Sequence, residues 1–95
     1  MENLRHNVID KIRKTYAWME YQRFAEKTDK QNRLYTLIKF TDRLCGEITL
    51  WIYLYETENI SIEFRDSMTA KIEHKFEYNS YKDFVFDLDK IKYLY

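Results

Sequence analysis

Ninety-five residues, 45% of them hydrophobic, suffice for one domain spanning 1–95 around a single core, with a thin margin of stability. Sixteen Lys/Arg balance sixteen Asp/Glu, and that zero net charge argues against a protein that seeks polyanions with its whole surface. A single cysteine, Cys45, excludes an internal disulfide, and the longest apolar run, Ile48 to Tyr55, is too short to cross a bilayer as a helix.

Residues 2–27 read as a first helix. Leu4, Val8, Ile12, Tyr16 and Met19 recur at spacings of three and four, and neither Gly nor Pro interrupts them. Trp18, Tyr21 and Phe24 lie off that stripe, so the helix is expected to show an aromatic flank to a neighbour or a partner. Thr28-Asp29-Lys30-Gln31 has the form of a capping box. Leu34, Leu37, Ile38, Thr41, Leu44 and Cys45 then follow one helical face to a stop at Gly46, which predicts a second helix over 30–45. The alternative is a strand over 33–41, with Leu34, Thr36, Ile38 and Phe40 on one side and Tyr35, Leu37, Lys39 and Thr41 on the other.

Glu47 to Glu56 is rich in β-branched and aromatic residues and reads as the strand on which the rest packs. Turns at Thr57-Glu58-Asn59 and Asp66-Ser67 separate it from Ile60–Arg65 and from Thr69–Glu77, whose alternation puts Ala70, Ile72, His74 and Phe76 on one face. Short turns joining three runs predict an antiparallel meander over 47–77. Ser80 caps a last helix, with Asp83 completing its box and Tyr81, Phe84, Val85, Leu88, Ile91 and Tyr95 as its stripe. The expected class is α+β: two N-terminal helices, a three-stranded antiparallel meander and a C-terminal helix. Its alternative is one helix, a four-stranded sheet and a helix.

Nothing in the chain carries a catalytic signature, and no enzyme activity is expected. Cys45 and His74 are the only nucleophile and base on offer, without a third group to orient them, and His74 on its apolar parity reads as core or half-buried. His6, His74 and Cys45 lack ligand spacing, so neither metal nor cofactor is expected. Asp83 and Asp87, among Lys82, Lys90 and Lys92, read as a solvated charged face. With one glycine there is no phosphate-cradling loop.

The feature left over is aromatic content of 18%, more than a core of this size needs. If Leu50, Ile52 and Leu54 face helices, then Trp51, Tyr53 and Tyr55 face away, either as a platform or as core beneath the C-terminal helix. The expected function is a small protein-binding module, in the manner of an inhibitor, antitoxin, immunity protein or phage-type antagonist. Its partner is another protein or a second copy in a homodimer, met through Trp51, Tyr53, Tyr55, Trp18, Tyr21 and Phe24. The alternative is a nucleic-acid-binding transcriptional or accessory regulator. Residues 1–45 carry ten Lys/Arg against six Asp/Glu, with Arg5, Lys11, Arg13, Lys14 and Arg23 clustered. Against it, Glu73 and Glu77 cancel Lys71 and Lys75, leaving the aromatic row without a basic field. The opening Met-Glu-Asn-Leu-Arg-His-Asn lacks the apolar core of a secretory leader, so a cytoplasmic location without a membrane partner is expected. Abundant Tyr, Ile, Lys, Asn and Glu suit the AT-rich genome of a bacterium or phage.

Overall fold

The computed structural model describes residues 2–92; Tyr95, expected to end the last apolar stripe, lies outside them. Helix α1 (Glu2–Thr15) leads into strands β1 (Met19–Thr28), β2 (Leu34–Asp42), β3 (Ile48–Tyr55), β4 (Ile60–Asp66) and β5 (Ile72–Tyr78), and helix α2 (Tyr81–Ile91) closes the chain. The strands pair antiparallel in sequence order, so the sheet is a five-stranded meander with β3 at its centre.

The α+β class, the central strand and the capped final helix hold. The number of helices and strands does not. The second expected helix is β2, and the first ends twelve residues before 27, the rest of that stretch being the linker and β1. One helix before a sheet and one after it is the nearer expectation, short by one strand.

Two local features explain these corrections. In β1 the pairing shifts between Tyr21 and Arg23, a bulge that inserts Gln22. The apolar residues Met19, Tyr21 and Phe24 therefore stand two and then three apart, which continues the helical spacing of α1 by coincidence. In β2, Thr36, Leu37 and Ile38 are all buried, Thr36 and Ile38 on the helix side and Leu37 between its cross-strand neighbours Ala25 and Tyr53 on the other, and consecutive burial erases period two.

The supposed capping box is a hairpin turn. Asp29 Oδ1 accepts the backbone N–H groups of Gln31 and Arg33, each at 2.9 Å, while Oδ2 accepts Arg33 Nε at 2.7 Å. Asn32 takes the left-handed conformation at φ 61°. A short carboxylate beside free N–H groups serves a turn as readily as a helix end.

Both helices lie on one side of the sheet. Val8, Ile12, Phe84 and Leu88 pack with Phe40, Leu50, Ile52, Leu54, Ile60, Ile62 and Phe64 in one buried cluster. Lys11 Nζ meets Asp89 at 3.1 Å, tying α1 to α2. Ser80 Oγ accepts the N–H of Asp83 at 3.2 Å, the expected cap. Tyr78 donates to Asp87 Oδ2 at 2.7 Å, so one aspartate of the supposed solvated face has a partner in the sheet. His74 is exposed and stacks on Phe76 with centroids 6.4 Å apart, correcting its expected burial. It pairs with Phe64 on an edge strand, where the helices give no cover.

Candidate binding face of the sheet

Because side chains alternate along each strand, a sheet with its core on one side presents a second set on the other. Among the described elements no helix covers that second side. Strand pairing arranges it in rows. One runs Lys27, Tyr35, Tyr55. The next runs Ala25, Leu37, Tyr53, Ser61, Glu77, and the third runs Arg23, Lys39, Trp51, Glu63, Lys75. Glu20, Thr41, Thr49 and Arg65 make the last. Two shallow depressions of about 300 and 260 Å³ share Arg23 and Lys39 in their walls.

Aromatic rings hold the middle of this face. Tyr35 lies 5.6 Å from Tyr53 and 5.4 Å from Tyr55, centroid to centroid. Each outer ring carries a cation: Arg33 stands 5.1 Å from the Tyr55 centroid, and Trp51 has Lys39 Nζ at 3.9 Å and Arg65 Cζ at 4.0 Å.

Beneath the rings a carboxylate fixes the arrangement. Glu63 is only 5% exposed. Its Oε1 accepts the Tyr53 hydroxyl at 2.7 Å and Arg65 at 2.7 and 3.1 Å, and Lys75 Nζ stands 3.9 Å from Oε2. Arg65 also donates to the Tyr53 oxygen at 3.2 Å. Burial, then the bond to Glu63, pushes the Tyr53 hydroxyl well above the usual tyrosine range, so it stays a donor.

The remaining cations are not balanced in this way. No ion pair among the described residues includes Arg23, Lys27 or Lys39. Burial lowers the pKa of Lys39, and the charges of Arg23, Lys27 and Arg65 lower it further. Like charges gathered at one place leave an attraction for an anion unspent.

No protein-family model, curated protein or solved structure matches this chain. The chemistry of the face therefore rests on its own geometry.

The residues expected at the site divide. Trp51, Tyr53 and Tyr55 stand on the open face. Trp18 packs edge-on against Tyr16 at the end of the sheet, Tyr21 packs on Phe40 on the helix side, and Phe24, also on the helix side, lies under Arg5 at 3.9 Å. The basic cluster disperses as well. Arg5 covers Phe24, Lys11 pairs with Asp89, Arg13 stands 5.4 Å from the Tyr21 ring and Lys14 is exposed on α1; Arg23 alone reaches the open face.

Lys27, Tyr35, Lys39, Glu63 and Arg65 were not singled out from the sequence. The signal for two of them was there: the strand alternative over 33–41 groups Tyr35, Leu37, Lys39 and Thr41. The objection that the aromatics lack a basic field is also corrected, because the field comes from β1 and β2 rather than β5.

Elsewhere, the Cys45 thiol donates to Asp42 at 3.0 Å, and this bond raises its pKa. A thiol held protonated is a poor nucleophile. Among the described residues no three His, Cys, Asp or Glu side chains are grouped to hold a metal ion, and no helix is long and apolar enough to cross a membrane.

Proposed function

We propose that this chain is a non-enzymatic binding module that takes single-stranded nucleic acid across the open face of its sheet. One observation carries the reading: Arg23, Lys27 and Lys39, in no ion pair among the described residues, stand beside the aromatic rings on the uncovered side. Cations track a phosphate backbone and aromatic rings stack unpaired bases, and that combination distinguishes single-strand binders from proteins using either feature alone.

The test is fluorescence anisotropy with labelled oligothymidylate and oligouridylate of about 12 nucleotides. Three phosphates neutralised on a single strand give a log–log salt slope of about −2, so affinity falls about 20-fold between roughly 50 and 200 mM salt. Reversing Arg23, Lys27 and Lys39 to glutamate together abolishes binding. Absence of binding at about 20 mM salt, or affinity indifferent to salt, refutes the proposal.

A second reading keeps the face and changes the partner. Trp, Tyr and Arg are the residues that dominate protein interfaces, and here Arg65 and Trp51 are already locked together before any partner arrives. An acidic protein surface would fit, as an inhibitor, antitoxin, immunity protein or phage-type antagonist requires.

A further inference from the structure

Resting on the nucleic-acid reading, we infer that Lys39 is a displaceable cover over the Trp51 ring: a base takes its place on the indole, and the released ammonium moves to the adjoining phosphate. The two cations beside Trp51 come from opposite flanking strands, β2 and β4, at 3.9 and 4.0 Å from the ring centre. Reaching the ring from opposite sides of β3 and repelling each other, they are assigned to its two faces.

They are not equivalent. Arg65 is fixed by two bonds to Glu63 and one to Tyr53, and its side chain is mostly buried. Lys39 has no carboxylate partner among the described residues, and Arg23 and Lys27 crowd it. One face of the indole is therefore backed permanently, while the other is held by a flexible stem with nothing to anchor it. An ammonium leaving the ring for a phosphate exchanges a weak contact for a charge-assisted one, and relieves repulsion from its neighbours. The partner this selects has a phosphate next to an unpaired base. A duplex supplies the phosphate without a free base face, and an acidic peptide supplies charge without the ring.

The experiment uses Trp18→Phe protein, in which Trp51 is the single tryptophan, and follows its emission during titration with oligothymidylate, oligouridylate, an abasic strand of equal length and a duplex. The expected result is quenching by both single strands and none by the abasic strand or duplex, with abasic affinity at least about fivefold weaker. Lys39→Met, which keeps the stem and drops the charge, is expected to make Trp51 more accessible to acrylamide in the free protein. It should retain base-dependent quenching and reduce the salt slope by about 0.7. Equal binding of intact and abasic strands with unchanged Trp51 emission overturns the inference while leaving the binding reading intact. Loss of base-dependent quenching in Lys39→Met, with the fold intact by circular dichroism, also overturns it. Binding of neither strand overturns the underlying reading; preference for an acidic peptide replaces it with the protein partner.

Discussion

Glu63→Gln is the substitution that best separates a built face from a decorated one. The carboxylate is almost fully buried, its partner Arg65 largely so, and they meet at 2.7 Å with Tyr53 donating to the same oxygen. Glutamine preserves shape but removes the charge, turning three charge-assisted bonds into weaker ones and leaving the guanidinium uncompensated. A bond to a charged group contributes about 1.5–3 kcal/mol, and residual hydration of Arg65 favours the low end, so the expected loss is about 2 kcal/mol. With a urea m-value of about 1.5 kcal/mol/M for a domain of this size, the unfolding midpoint falls by about 1.3 M. Replacing Glu63 and Arg65 together by methionine should recover most of that loss, because no buried charge is then left alone. A single-variant loss below about 0.5 kcal/mol would mean the pair behaves as an exposed ion pair, and the claim of a preorganised face would fail.

Other outcomes follow from the same structure. Phe84→Ala empties a fully buried site between α2 and the sheet, and should cost about 3–5 kcal/mol by urea unfolding, a large share of a small domain's stability. Asp29, Asp42 and Asp66 are held below the ordinary carboxylate range by the Arg33 N–H, the Cys45 thiol and the Thr69 N–H respectively. Because their folded pKa values are depressed, their contribution is complete above about pH 4 and is lost as pH falls. Thermal midpoints should therefore drop as pH falls below about 4, and the drop should be shallower in a triple Asp→Asn variant. Burial and hydrogen bonds, to Glu63 and Asp87, push the Tyr53 and Tyr78 hydroxyls up. Their stabilisation is whole below the unfolded value near pH 10 and is lost above it, so Tyr53→Phe and Tyr78→Phe together should blunt alkaline unfolding followed by absorbance.

How much was legible in the sequence depended on whether local periodicity agreed with tertiary position. From Glu47 onward it did, except on edge strand β5, where Ile72 and His74 keep the expected parity but lie exposed. Strand β3 pairs bulky β-formers on both faces, β4 alternates, and the Ser80 cap announces α2. Before residue 47 it did not, for physical reasons. A bulge at Gln22 let β1 borrow the spacing of α1, and an Asx turn at Asp29 borrowed the chemistry of a helix cap.

The face itself depended on those errors. With β1 and β2 read as helices, the charges set beside Trp51 and Tyr53 were Lys71 and Lys75, cancelled by Glu73 and Glu77, and a phosphate-binding surface had no basic field. Placed correctly, Arg23, Lys27 and Lys39 are the neighbours. Glu63 was the least legible of all, since nothing in Ile60–Arg65 distinguishes a buried glutamate from a solvated one. Its burial comes from the cross-strand partners Trp51 and Lys75.

The most direct test of the open face as the working surface is a titration of the ¹⁵N-labelled protein with oligothymidylate, followed by amide and indole chemical shifts. The two indole N–H signals report on different places, Trp51 within the face and Trp18 at the end of the sheet. The account predicts that the Trp51 indole and the amides of Arg23, Leu37, Lys39 and Tyr53 move, while the Trp18 indole and the amides of Val8 and Leu88 stay. Shifts confined to α1, or a spectrum unchanged at saturating strand, would contradict it.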